Sequence, residues 1–259
     1  MNRLNKLFQE KSKDILSVFF TAGHPNLNDT VTIIENLDKA GADIVEVGIP
    51  FSDPVADGQV IQQSSLKALN NGMSVKLLFE QLKNIRSVTQ MPIILMGYLN
   101  PVIQYGITDF CKRCYEIGID GLILPDLPPE LYIERYKDIF EMYKLANIML
   151  VTPQTSDERI KQLDKLSSGF LYVVSSSSTT GAKTGFQEYQ LDYFKRLKNL
   201  NLTKPKLIGF GISDNQAFKE ACLYAEGVII GSAFIRKLEQ SGSLTDNIIA
   251  FIKTILESN

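Results

Sequence analysis

The sequence predicts a (β/α)8 TIM barrel preceded by one extra N-terminal helix, on three observations. Short apolar runs recur eight times along 259 residues. Each run is followed by a turn signal and then by a stretch of helical period, an alternation that implies βαβ units around a parallel sheet buried on both faces. The chain length matches the ~250 residues of a closed barrel and lies near the upper limit for one hydrophobic core.

A short helix over 3–11 precedes the first run, 16–22, which leads to a helix over 30–40. The second run, 43–47, precedes helical period over 75–88, and the third, 92–96, precedes 108–117. The fourth, 121–124, and the fifth, 148–151, precede 130–145 and 157–166. The sixth, 170–174, and the seventh, 206–210, precede 190–200 and 215–224. The eighth, 227–230, leads to a short helix over 233–238 and a last one over 243–256. Ser156 before Asp157 and Glu158, and Ser213-Asp214 before Asn215, supply N-cap residues and early acids where two helices should begin. An open doubly wound sheet is the alternative architecture. It calls for G-x-G-x-x-G after the first strand, where this chain reads T-A-G-H-P-N. No linker or low-complexity tract divides the chain, so residues 1–259 read as one domain.

Hydrophobic residues make up 44%, enough for a sizeable core, and a net charge of −2 gives no reason to expect nucleic acid or an anionic membrane as partner. Three cysteines suit a reducing compartment, and the Cys111/Cys114 C-x-x-C falls inside a helical pattern, which favours packing over metal or redox use. The N-terminus has no apolar signal core, and no run reaches the ~18 apolar residues of a membrane span. The expectation is a cytoplasmic protein.

The chemistry concentrates in residues 45–58, V-E-V-G-I-P-F-S-D-P-V-A-D-G. The chain has one histidine, His24, which reads as a loop residue, so acid–base work falls to carboxylates. Strand alternation sets Ile44 and Glu46 on one face and Val45 and Val47 on the other, which points Glu46 into the barrel mouth. A desolvated carboxyl there has a raised pKa suited to proton transfer. No strand interior supplies a lysine or arginine partner for it. Asp57 reads equally as a second acid or as a turn former before Gly58. Asp53 reads as a loop former.

Glycines follow the seventh and eighth strands at G-F-G-I-S (209–213) and G-S-A (231–233), the second opening the short helix. Barrels often bind phosphate between these two loops and a short helix N-terminus. The polar loop 175–185 reads as a lid over the barrel mouth. A Schiff-base mechanism is disfavoured because Lys206, the one lysine in a strand run, starts its strand at the wrong end. One histidine is too few for a metal-dependent lyase. A metal-free and cofactor-free carboxylate mechanism on a phosphorylated substrate remains.

Five motifs carry a resemblance over essentially the full length: F-F-T-A-G-H-P (19–25), the segment 45–58, L-M-G-Y-L-N-P (95–101), G-F-G-I-S and G-S-A. On these the chain resembles the tryptophan synthase alpha-subunit family. The resemblance implies retro-aldol cleavage of indole-3-glycerol phosphate to indole and glyceraldehyde 3-phosphate. It implies that Glu46 shuttles protons, that Asp57 holds the indole N–H, and that Tyr172 lies near the reacting groups. Phe19, Met96 and Phe210 would line the indole pocket, with Thr180 also at the substrate. Gly181, Gly211, Gly231 and Ser232 match the phosphate-binding positions. The implied partner is a beta subunit in an α2β2 assembly, which carries the pyridoxal phosphate and receives indole. The loops 50–57 and 175–185 are where the family meets it.

The chain departs from the family in one place. Where members read near Y-L-L-S-R-x-G-V-T-G, this sequence has Ser176 at the arginine and Ser178 at the first glycine, keeping Thr180 and Gly181. The departure bears on loop closure and partner signalling. Two rivals are a barrel kept mainly as an allosteric or structural partner and an isomerase on another phosphate-binding barrel. Retention of Glu46 with Asp57 argues against the first, and the segment 45–58 against the second.

Overall fold

The computed structural model describes residues 2–175, 185–209 and 211–257. The strands are β1 (Ile15–Thr21), β2 (Ile44–Gly48), β3 (Ile93–Met96), β4 (Gly121–Ile123), β5 (Ala146–Asn147), β6 (Met149–Val151), β7 (Leu171–Val174), β8 (Lys206–Gly209) and β9 (Gly227–Ile230). They form one parallel sheet in the order β5-β4-β3-β2-β1-β9-β8-β7-β6. The fifth run read from the sequence, 148–151, is β6, and a two-residue strand, β5, precedes it that the sequence reading did not include. β5 pairs with β4 and β6 with β7, and the residue between them, Ile148, donates its N–H to Leu122 O at 3.0 Å. The sheet's two ends, β5 and β6, are consecutive in the chain and flank Ile148, so the sheet curls into a barrel whose seam lies there. A closed barrel shears the register around its circumference, and the break at Ile148 absorbs that change.

Period-two alternation divides the apolar side chains into two cores. Ile15, Ile44, Ile94, Ile123, Ile148, Phe170, Tyr172, Leu207 and Ile229 fill the barrel interior. Their neighbours Leu16, Val18, Val45, Val47, Leu95, Val173 and Val228 face outward against the helices. The helices are α1 (Arg3–Glu10), α2 (Thr30–Ala40), α3 (Gln59–Asn70), α4 (Val75–Leu82), α5 (Leu99–Tyr105), α6 (Ile107–Ile117), α7 (Pro129–Leu131), α8 (Lys137–Met142), α9 (Asp157–Leu166), α10 (Glu188–Asn199), α11 (Asn215–Cys222), α12 (Ser232–Leu238) and α13 (Leu244–Leu256).

Several segments differ from the sequence reading. α3 and α5 were not legible as helices. The core-facing side of α3 consists of Ser64, Ser65 and Ala68 rather than large apolar residues, so its period is faint. α5 is only seven residues long and carries the turn-like Asn100-Pro101 in its first turn, where a missing N–H costs no hydrogen bond. The pattern over 75–88 stops as α4 at Leu82 and resumes as a 3-10 turn at Ile85–Ser87. The pattern over 130–145 is α7 and α8 joined through a π segment at Tyr132–Tyr136.

The extra N-terminal helix plugs one end of the barrel. Asn2 caps it, accepting from Leu4 N–H at 2.8 Å and donating to Asp120 O at 2.6 Å. Leu4 is fully buried within the interior core, and the Phe8 ring packs 6.1 Å from Phe170. Phe170 immediately precedes β7, so the plug sits at the N-terminal ends of the strands. The C-terminal ends, where barrels place their chemistry, lie at the opposite mouth.

Candidate active site

Glu46 faces the barrel interior with Ile44, as alternation requires. Its side chain is fully buried, and β1 beside it contributes Ser17 and Phe19 to the same interior. Ser17 donates to Glu46 Oε1 at 2.7 Å, while Oε2 has no hydrogen-bond partner among the described residues. Burial pushes the Glu46 carboxyl up to about 8, and the Ser17 hydrogen bond partly offsets that rise. A carboxyl at this value is mostly protonated at neutral pH and can both give and take a proton.

Asp57 approaches from the β2–α3 loop and is half-buried. Burial raises its carboxyl above the ordinary range, and a hydrogen bond from Tyr98 pulls it back. Tyr98 stands two residues beyond β3. Its hydroxyl accepts from Ala56 N–H at 3.1 Å, so one side chain fixes both the loop backbone and the acid. Gln62 on α3 donates to Asp57 O at 2.7 Å and anchors the loop from its far end. Asp57 thus sits in the wall of a cavity at this mouth, hydrogen-bonded to Tyr98. Asp53 lies exposed in the same loop, hydrogen-bonded to the neighbouring Ser52.

Tyr172 on β7 is buried, and a methyl at Gly209 on β8 would come within 2.5 Å of its hydroxyl. Burial holds the Tyr172 phenol well above its ordinary value, and the charges of Glu46 and Asp57 add to the effect. Glu46, Asp57 and Tyr172 thus gather within electrostatic reach at one mouth. Phe19 and Met96 join Gly48, Asp57, Tyr98 and Pro125 around a cavity of about 20 Å³ there. Gly231 caps α12 and Ser232 is its first residue, while Gly211, with φ +80°, has open space on the side where a Cβ would stand. Thr180, Gly181 and Phe210, together with Ser176 and Ser178, lie outside the described residues.

The sequence reading missed Ser17 and Tyr98. Ser17 shares its strand parity with Ile15 and Phe19, so a register argument could have placed it beside Glu46. Tyr98 lies inside the L-M-G-Y motif, but nothing local marks its reach to the next loop. His24 is in the β1–α2 loop as expected, yet it is fully buried, with Nε2 3.5 Å from Glu239 Oε1. Lys206 pairs with Glu226 at 3.1 Å, away from the mouth. Cys111 and Cys114 are buried in α6, and burial raises both thiols. Among the described residues no three His, Cys, Asp or Glu side chains converge as a metal site.

A cleft of about 580 Å³ lies at the plugged end around Arg3, Arg86 and Asp120. Its cationic groups are engaged in the fold: Arg86 Nη2 binds Asp120 at 2.6 Å and Gly118 O at 2.6 Å, and Arg3 binds Asp120 at 3.3 Å. It is a structural joint, whereas the small mouth cavity has Asp57, one of the two perturbed acids, in its wall.

A family model described as "Tryptophan synthase alpha chain" matches residues 5–257. A tryptophan synthase alpha chain of Flavobacterium psychrophilum is 57% identical over 242 residues, covering 93% of this chain and 95% of the relative. One of Christiangramia forsetii is 54% identical over 255 residues, covering 98% of each. Among solved structures, tryptophan synthase subunit alpha of Legionella pneumophila superposes with a TM-score of 0.88 at 33% identity, over 98% of this chain and 97% of that one. A chain of the tryptophan synthase complex of Pyrococcus furiosus superposes with a TM-score of 0.85 at 31% identity, over 94% and 98%.

Proposed function

The chain belongs to the tryptophan synthase alpha chain family, and on that premise we propose that Glu46, Asp57 and Tyr172 carry its reaction. That reaction is cleavage of indole-3-glycerol phosphate to indole and glyceraldehyde 3-phosphate, a carbon–carbon lyase activity. The observation that supports the assignment is Glu46: a fully buried carboxyl with one oxygen held by Ser17 and the other unpaired among the described residues.

The steps follow from its protonation state. Glu46, mostly protonated at neutral pH, gives a proton to the indole carbon that bears the glycerol chain. Positive charge then spreads to the ring nitrogen, and Asp57 stabilises it by accepting from the N–H. Glu46, now a carboxylate, takes the proton of the adjacent hydroxyl. The carbon–carbon bond breaks as its electrons return to the ring, the hydroxyl carbon becomes the aldehyde, and Glu46 is protonated again. Tyr172, kept neutral by burial and the nearby acids, is a donor at the same centre.

Phe19 and Met96 would hold the indole edge, with Thr180 and Phe210. Gly211, Gly231, Ser232 and Gly181 would bind the phosphate, through backbone N–H groups and the start of α12. No step requires a cofactor in this chain; pyridoxal phosphate belongs to the beta partner. The partner would seat on the flank formed by the loop 50–57 and its neighbours. Val55 there, Ile103 on α5 and Ile133 after α7 are exposed apolar side chains on three successive connections of the barrel. The whole chain acts as one domain, and the cytoplasm suits its biosynthetic family and three unpaired cysteines.

The test is indole release from indole-3-glycerol phosphate by the purified chain, alone and with a beta chain, beside Asp57→Asn. The reading expects activity that rises with the partner and falls at least tenfold in the variant, the loss of one interaction with developing charge. Equal turnover in the variant would remove Asp57 from the mechanism.

A further inference from the structure

We infer that Ser17 is a positioning residue for this reaction: its hydroxyl anchors Glu46 Oε1 and so reserves Oε2 as the oxygen that exchanges protons with the substrate. The inference rests on the assignment of Glu46 made above.

Three observations carry it. Ser17 lies on β1 between Ile15 and Phe19, at an interior position that is fully buried and bordered by the apolar barrel core. A hydroxyl placed there is unfavourable unless it finds a partner. Among the described residues its side chain makes one hydrogen bond, to Glu46 Oε1 at 2.7 Å. In return, Glu46 has no other hydrogen-bond donor among the described residues, and its Oε2 is buried and unpaired. A carboxyl with one fixed and one unpaired oxygen is oriented without being saturated. Among the described residues, Ser17 is the one group that holds this carboxyl by a hydrogen bond.

Among the described residues, the titratable groups gathered about Glu46 are Tyr172 from β7, which feels its charge, and Asp57 from the β2–α3 loop, whose charge Tyr172 also feels. From β1 the interior contributes Ser17 and Phe19, from β3 Ile94 and Met96, and from β8 Leu207, none of which titrates. Ser17 donates, so its bond favours the ionised carboxylate and opposes the effect of burial. Removing it leaves Glu46 protonated to higher pH.

The experiment measures kcat and KM against pH for Ser17→Ala, Ser17→Thr and Glu46→Gln in the assembled complex. Ser17→Ala should lower kcat about tenfold with KM unchanged, and should move the alkaline limb of kcat upward by about one pH unit, as expected for loss of one hydrogen bond to a charged group. Ser17→Thr, which keeps the hydroxyl, should restore the limb. Ser17→Cys keeps the volume and removes the strong donor, and carries the test if the alanine variant does not fold. An unmoved limb in Ser17→Ala and Ser17→Cys, whether or not kcat falls, overturns the inference, because a packing role alone would not shift it. If Glu46→Gln is inactive while Ser17→Ala matches wild type, the Ser17 inference alone fails. Turnover by Glu46→Gln removes the assignment beneath it.

Discussion

The Phe19 ring lies directly over Gly48, so closely that a Cβ at residue 48 would stand 2.6 Å from Phe19 Cζ. Phe19 pairs in register with Glu46 and leans along β2 toward the mouth, and only a residue without a side chain can end that strand. The glycine of V-E-V-G thereby sets the position of an aromatic ring on the neighbouring strand.

Gly48→Ala should therefore tilt Phe19 into the mouth cavity. The expected result is a KM for indole-3-glycerol phosphate raised about tenfold, with a stability loss of about 1–3 kcal/mol from overpacking. Steady-state kinetics with a urea melt checks both, and an unchanged KM would separate Phe19 from the substrate.

Tyr98→Phe removes the hydroxyl that accepts from Ala56 N–H and holds Asp57. Each lost hydrogen bond is worth about 1 kcal/mol, so kcat/KM should fall roughly five- to thirtyfold while the aromatic packing remains. Kinetics of the variant beside Asp57→Asn checks the coupling: the double variant should be little worse than Asp57→Asn alone. Fully additive losses would show that Tyr98 does not act through Asp57.

The pH dependence follows from Glu46, which burial raises to about 8. Activity that begins with a protonated carboxyl should decline as pH rises through about 8. Stability has the same sign. The native carboxyl binds its proton more tightly than the unfolded one, so this contribution is complete below the ordinary value of 4.5 and is lost as pH climbs to about 8. Glu46→Gln should accordingly melt above wild type at pH 9, by on the order of a few kcal/mol, with the gap closing toward pH 5. Melting curves at the two pH values read this directly, and equal curves at pH 9 would contradict the raised value.

At the plugged end, Asp120 is almost fully buried and joins Arg86, Arg3 and Ile93 N–H. Asp120→Ala leaves Arg86 without its carboxylate and should destabilise the chain by about 3–5 kcal/mol. The kcat of the folded fraction should not change, since the joint lies at the far end of the barrel. Denaturant unfolding with parallel kinetics checks this.

The barrel was legible because its strands are buried on both faces, and a strand such as β3 or β9 then reads as a continuous apolar run. Glu46 was legible for the same reason, as the acid inside such a run, and parity told which way it faces. The two-residue β5 was not, because Asn147 interrupts the apolar pattern ahead of the run 148–151. α3 escaped because serines form its inner face. The Ser17–Glu46 bond joins residues 29 apart in sequence, and neither carries a local sign of the other. The Tyr98–Ala56 bond spans 42 residues and is equally silent. Parity and period report the faces of elements, whereas contacts between elements depend on register, which the alternation alone does not supply.

The most direct test of the account is indole release by purified Glu46→Gln, measured beside wild type with circular dichroism to confirm the fold. The amide is isosteric but cannot deliver a proton, so turnover should fall by about 10²–10⁴-fold, the usual contribution of a general acid–base group, while the fold is retained. Turnover within tenfold of wild type from a folded variant would contradict the proton-shuttle role of Glu46.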